Sequence, residues 1–330
     1  MSNVFTLSVV PVNDRPVIAV AGSVTLLEDQ GAFSSNSFVT VISLGSADET
    51  GQAITNYAVS STNAALFSVV PAVDAAGTLT FTPAPNVSGT ALVTVTAQDN
   101  GGTLNGGQDA SPGVSFLITV LAVNDAPGVA FATNNVIVLE DSGAVSMSAF
   151  AVTTLGPANE SGQTVTNVTT SNDNNALFAV QPSVATNGSL TFAPAANASG
   201  TATVTVVAQD DGGAANGGVD RTTNTFTITV TAVNDAPSVA FGTNDVVVLE
   251  DSGAASLAGF ASFSPGPANE AGQTLASYTV ANNHPELFRA APAIAADGTL
   301  MFTPDTNANG SATVTVIARA DGGTASGGVN

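Results

Sequence analysis

The sequence predicts an all-β chain of three tandem β-sandwich repeats of about 110 residues each, the last lacking its final strand. Three observations lead there. Five short landmarks recur in register along the chain. Runs of apolar and polar residues alternate with period two, as half-buried strands do. Gly, Pro, Asn and Asp break these runs at short intervals, and no window carries a long helical period.

The first landmark is Val12-Asn13-Asp14-Arg15-Pro16, which returns as Val123-Asn124-Asp125-Ala126-Pro127 and Val233-Asn234-Asp235-Ala236-Pro237. Its asparagines are 111 and 110 residues apart. Leu27-Glu28-Asp29 returns as Leu139-Glu140-Asp141 and Leu249-Glu250-Asp251. Asp48-Glu49-Thr50-Gly51-Gln52 returns as Asn159-Glu160-Ser161-Gly162-Gln163 and Asn269-Glu270-Ala271-Gly272-Gln273. The pairs Leu66-Phe67, Leu177-Phe178 and Leu287-Phe288 keep the same phase, as do the segments beginning at Gly77, Gly188 and Gly298. This phase divides the chain into an N-terminal strand over 1–11 and repeats over 12–122, 123–232 and 233–330. Ala91, Val93 and Val95 alternate inward on one predicted strand, and Phe226, Ile228 and Val230 on another. The Ala-rich stretch Val73-Asp74-Ala75-Ala76-Gly77 is the best helix candidate, but it is short and flanked by Pro71, so it reads as a loop.

Composition narrows the function. The chain has four basic residues, all arginine, against 25 acidic ones, for a net charge of -21. Such a surface repels phosphate backbones and anionic lipid and attracts cations, so nucleic-acid and membrane partners are not expected. Cysteine is absent, which excludes disulfides and thiolate chemistry. No apolar run is long enough to span a bilayer, and the opening MSNVFTLSVV lacks the basic flank and cleavage site of a signal peptide. Abundant Thr, Val, Ser, Gly and Asn without Lys or Cys fits a secreted bacterial repeat protein.

The V-N-D-x-P landmark resembles the inter-domain linker of cadherins, L-E-D the cadherin first-strand glutamate, and Asp48-Glu49-Thr50-Gly51-Gln52 the acidic cadherin loop. Taken together, the motifs are similar to the cadherin-like and Ig-like tandem repeats of large bacterial surface proteins, and the resemblance covers the whole chain. The cadherin L-D-R-E motif is missing, and Pro83-Ala84-Pro85-Asn86-Val87-Ser88-Gly89 stands in its place. The resemblance implies calcium at the repeat junctions, a hard cation served by carboxylate and carbonyl oxygens. Carried over, the first junction would use Glu28, Asn124, Asp125 and Glu160, and the second Glu140, Asn234, Asp235 and Glu270. Asn13, Asp14, Asp48 and Glu49 would await a preceding domain. The competing reading is that Asn-Asp before Pro simply builds a turn.

A second acidic loop runs from Asp99 to Asp109 and returns as Asp210 and Asp211 through to Asp220. It reads either as one calcium site per loop or as a Gly-rich hairpin. The third copy has Ala320-Asp321 and has lost acceptors. No catalytic residues are expected. His284 is the only histidine and has no counterpart in the other copies, and carboxylates that recur at fixed phase suit a scaffold better than a single active site.

The chain is out of phase with its own repeats. Phe5 aligns with Phe226 and Asn330 with Asp220, so Asn3, Val4, Phe5, Thr6, Leu7, Ser8, Val9 and Val10 correspond to the strand missing from the third repeat. An open sheet edge favours insertion of a matching strand from a neighbour. The expected function is therefore non-enzymatic and extracellular or at a bacterial cell surface. In that reading the chain is a filament or matrix-fibre subunit, joined head to tail to identical subunits by donor-strand complementation and stiffened by calcium. The alternative is a rigid stalk segment of a giant calcium-dependent adhesin, with flanking repeats of a longer chain supplying the strand.

Overall fold

The computed structural model describes residues 1–330 as strands joined by turns and short 3-10 segments. In the first repeat, Val24–Leu27, Val114–Leu121, Gly89–Asp99 and Ile54–Ser61 form a four-stranded sheet in that order. Phe33–Ser35, Leu79–Pro83 and Phe67–Val73 form a second sheet, and Val17–Val20 pairs with Val39–Ser43. The last strand in sequence is thus interior to its sheet. Val114–Leu121 runs antiparallel to Gly89–Asp99 on one side and parallel to Val24–Leu27 on the other. Its alternation sends Phe116, Ile118 and Val120 into the core against Val93, Val95 and Phe81, all of them buried.

The second repeat has the same plan. Asn135–Leu139, Arg221–Thr231, Gly200–Asp210 and Val165–Asn172 form the four-stranded sheet, again with a parallel pair at Asn135–Leu139. Phe226, Ile228 and Val230 are buried in the positions of Phe116, Ile118 and Val120.

The third repeat keeps Ala255–Leu257, Leu300–Pro304 and Phe288–Ile294 as one sheet, and Ser238–Phe241 with Ala261–Ser264 as a pair. Its main sheet is reduced to Leu275–Asn282 and Val314–Ala320. Residues 246–249, which match the parallel strand of the other repeats, form no strand: Val246 is half-buried where its equivalent Val136 is buried, and Leu249 is 78% exposed where Leu139 is 37%. The physical reason is local. The interior strand that would hydrogen-bond to them is not there, and a strand with no partner does not form a ladder. Residues 1–16 carry no regular structure, and Val4, Phe5, Leu7 and Val9 stand exposed.

The chain divides into two compact units. One holds Met1–Gly128 with Thr154–Asn167 and Ala208–Thr222, and the other Val129–Thr153 with Val168–Val207 and Thr223–Asn330. The loop end of the second repeat therefore clusters with the first repeat.

The recurring Gly77, Gly188 and Gly298 have a steric cause. Each sits at positive φ (77°, 79° and 83°), and a Cβ there would stand 2.1, 2.0 and 2.0 Å from the carbonyl oxygens of Val39, Ala151 and Ala261. Only glycine lets that turn close onto the facing strand. Asp74–Gly77, the helix candidate of the sequence, is this turn, closed by Gly77 N–H on the Asp74 carbonyl at 2.9 Å.

Because Ile228 is fully buried at the centre of the second repeat, truncating it leaves a cavity. Ile228→Ala is expected to destabilise that repeat by about 2–5 kcal/mol, read as a lower urea midpoint by circular dichroism.

Candidate functional site

At each junction the glutamate of the L-E-D landmark ends a strand and turns inward. Glu28 N–H closes the parallel ladder on the Leu121 carbonyl at 3.0 Å, and Glu140 N–H does the same on Thr231 at 2.9 Å. Both side chains are 2% exposed. Glu28 Oε1 accepts from the backbone N–H of Val123 at 2.9 Å and from Asn159 Nδ2 at 3.4 Å. Glu140 Oε1 accepts from Val233 N–H at 2.8 Å and from Asn269 Nδ2 at 3.3 Å. The buried carboxylate thus fastens the linker that leaves its own repeat and reaches the acidic loop of the next.

That loop supplies a second carboxylate. Glu160 lies on the 3-10 turn Ala158–Glu160 and accepts Asp125 N–H at 2.6 Å, and Glu270 accepts Asp235 N–H at 2.6 Å. Gly156 and Gly266 leave room for them, since a Cβ at either would fall 2.2 and 2.4 Å from the glutamate Oε2. In the first repeat Glu49 accepts Asp14 N–H at 2.5 Å and Ser46 N–H at 3.0 Å, while Asp48 is held by the Ser46 hydroxyl.

The linker asparagines turn the other way. Asn13 Nδ2 donates to Asp99 Oδ1 at 3.1 Å, and Gln52 Nε2 donates to Asn13 Oδ1 at 2.8 Å. Asn124 joins Asp210 and Gln163 in the same manner, at 3.1 and 2.7 Å. Asp99 and Asp210 are buried. Gly101 and Gly212 permit the approach, because a Cβ on either would overlap the asparagine oxygen. In the third repeat Asn234 meets Gln273 at 2.6 Å, and Ala320 occupies the aspartate position.

The structure therefore sorts the acidic residues named from sequence. It groups Glu28, Asp125 and Glu160 in the first unit, and Glu140, Asp235 and Glu270 in the second. Asn124 and Asn234 instead serve the adjoining amide clusters. Asp109 and Asp220 bond Gln98 and Gln209 across their hairpins, and Asp211 caps Thr164 through both oxygens. Sequence reading missed Gln52, Gln163, Gln273, Asn159 and Asn269, although all five sit inside a landmark that recurs three times.

Ten buried side-chain oxygens in the chain lack a hydrogen-bond partner, and all belong to these clusters: Glu28, Asp125, Glu160, Gln163 and Asp210 at the first junction; Asp235, Glu270 and Gln273 at the second; and Gln52 and Asp99 in the first repeat. A buried carboxylate without a partner is costly. No arginine reaches them: Arg221 pairs with Asp220 at 3.8 Å, Arg15 bonds Gln108, and the remaining ion pair is His284 with Glu286. No three acidic side chains stand in metal-binding geometry. The donor set of carboxylate and amide oxygens nevertheless fits a hard cation, which takes both kinds together with backbone carbonyls. Glu28 carries the electrostatic signature: burial first, then the nearby Asp29, Asp125 and Glu160 charges, raise its pKa above the usual 4.5 despite the Val123 hydrogen bond.

Residues 13–108 match the family model described as a bacterial Ig domain. No curated protein matches the chain. Among solved structures, mouse protocadherin-24 EC1-3 is 15% identical over 91% of this chain and 96% of that one, with a TM-score of 0.41. Drosophila N-cadherin EC1-4 is 14% identical over 93% and 74%, with a TM-score of 0.37. The protocadherin gamma B7 domains 1-4 are 12% identical over 93% and 74%, with a TM-score of 0.41. Residues 13–108 thus match an Ig-like domain, and their landmarks and strand order recur in the second repeat, as expected of tandem all-β repeats.

A carboxyl whose folded pKa lies above its unfolded value binds its proton more readily when folded, so its contribution to stability falls as pH rises through that interval. In chelator, Glu28→Gln is expected to match the parent near pH 4.5 and to melt higher at pH 7, by about 2–4 °C for each kcal/mol relieved. Calorimetry of both proteins across pH checks that the difference opens as pH rises.

Proposed function

We propose that the chain is an extracellular structural protein of the bacterial surface or matrix, a filament subunit that joins identical subunits head to tail by donor-strand complementation and is stiffened by calcium at its domain junctions. One observation carries this reading. The interior strand that fills the core of the first and second repeats has no counterpart in the third, while its sequence equivalent at residues 3–10 lies exposed and unpaired. In the reading proposed here, residues 3–10 of one subunit enter the third repeat of the next. An interface between two different surfaces of identical subunits propagates as an open filament.

The unpartnered carboxylate oxygens support the calcium part. Glu28, Asp125 and Glu160, and their equivalents Glu140, Asp235 and Glu270, would hold the ion. Its charge would offset the burial and, beyond it, the carboxylate repulsion that raise the Glu28 pKa. Glu250 is exposed, and a donated strand would bring Val12 N–H to it in the manner of Val123 on Glu28, with Asp14 and Glu49 alongside. Assembly and cation binding would then reinforce one another, since each completes part of the other's site.

A second reading is favoured by the in-register landmarks themselves. In a longer array of the same repeats the flanking chain would supply the strand covalently, and this chain would be a stalk segment of an adhesin. Light scattering and negative-stain microscopy separate the two. Filaments are expected in calcium, with loss of most of the assembly in chelator and all of it on deleting residues 1–11. Monodisperse 32 kDa particles in both buffers would favour the stalk.

A further inference from the structure

The groove of the third repeat has a feature that a general open edge lacks. In the second repeat the interior strand contributes Phe226, whose ring packs 4.9 Å from Phe131 and 4.7 Å from Phe150, closing a three-ring cluster. Phe116 packs 4.7 Å from Phe38 in the first repeat. In the third repeat Phe241 and Phe260 stack at 5.4 Å with no third ring, and Phe260 is half-buried where Phe150 is buried. Val314 is exposed although its equivalents Val93 and Val204 are fully buried. Two of the three aromatic walls are built, and the space for the third is open.

Residues 3–10 carry the missing ring in register. Phe5, Leu7 and Val9 have the spacing of Phe116, Ile118 and Val120 and of Phe226, Ile228 and Val230, with polar Thr6 and Ser8 between them. Phe5 is 86% exposed in its own chain. We propose that Phe5 of a second copy fills the slot formed by Phe241, Phe260 and Val314 and thereby sets the register of the donated strand, an inference that rests on the strand-donation reading above. In the register of the first repeat, where Phe116 faces Val93 and Ile118 faces both Ala91 and Val24, Phe5 lies opposite Val314, and Leu7 opposite Ala312 and Val246. A one-residue slip would turn all three apolar side chains to solvent, so the aromatic slot also excludes the wrong pairing. Insertion supplies the partner that residues 246–249 lack and converts them into the parallel edge strand.

The test uses the whole 330-residue chain. Phe5→Ala is compared with Val4→Ala, which alters an adjacent side chain of opposite orientation, and with Phe5→Trp, which places one tryptophan in a chain that has none. Phe5 makes no core contact within its own chain, so none of the three changes burdens folding. Light scattering across protein concentration is expected to show that Phe5→Ala raises the concentration needed for assembly by about tenfold or more, and Val4→Ala by less than about threefold. Phe5→Trp assembles with emission shifted to shorter wavelength, and amides 246–249 gain exchange protection. Assembly of Phe5→Ala at the parent concentration, or Phe5→Trp filaments with water-exposed emission, overturns the slot while leaving strand donation standing. A parent chain that stays monomeric at every concentration removes strand donation and this inference with it.

Discussion

The centre of a repeat's core and the junction that follows it depend on the pairing of its last strand on both edges. Val114–Leu121 and Arg221–Thr231 each hold a short parallel strand on one side and a long antiparallel strand on the other, and their inward residues fill the centre of the core. The third repeat shows what this pairing contributes. Without the strand, residues 246–249 do not pair, Val314 opens to solvent, and the Phe241–Phe260 stack loses its cover, while the remaining sheets keep their order. The strand also ends where the linker begins, so the interaction that completes the core positions the charged residues of the junction. Glu28 is buried because its backbone N–H terminates the ladder on Leu121.

The junctions place negative groups where no arginine compensates them. In a chain with four basic residues against 25 acidic ones, Glu28, Glu160 and Glu270 are satisfied on one oxygen by backbone or amide N–H groups and left without a partner on the other, whereas both Glu140 oxygens reach Asn269. At Glu28 desolvation opposes the charged form, and neighbouring carboxylates oppose it further. An external cation, as proposed, would offset both costs at once, in line with the acidic composition of the surface. The turn chemistry that competed with the metal reading from sequence alone is present as well. Asp29 and Asp141 adopt positive φ and cap the N–H groups of Asn86 and Asn197 at 3.0 and 3.1 Å. Adjacent residues of a single landmark thus serve different ends: the Glu faces the junction, and the Asp ties down the loop that stands where a cadherin carries L-D-R-E.

Repetition made the fold class legible, because each landmark marks a position where the backbone or the core tolerates few residue types. Gly77 and its equivalents close against a facing carbonyl, and the Phe-x-Ile-x-Val alternation fills a core on one face. The partition of the acids was harder to read. Spacing alone could not tell that Asn124 turns to Asp210 while Asp125 meets Glu160, since neighbours in an extended linker point to opposite sides and their partners lie 86 and 35 residues away. Gln52 and Gln163 were invisible for a related reason: an uncharged amide becomes informative only once it is seen buried beside a carboxylate. The Phe241–Phe260 slot was equally hidden, because neither ring stands out until the third is missing.

The parallel ladder has a mechanical consequence. In the second repeat Asn135–Leu139 lies beside Arg221–Thr231 over five aligned pairs, and the chain enters the repeat near the first of these strands and leaves from the second. Tension applied through the two ends of such a repeat draws the strands past each other along their length. The ladder hydrogen bonds are then loaded together in shear, whereas a terminal antiparallel hairpin would release them one by one. The neighbouring glutamate, fixed to the outgoing linker, sits at the end of the ladder that the load reaches first.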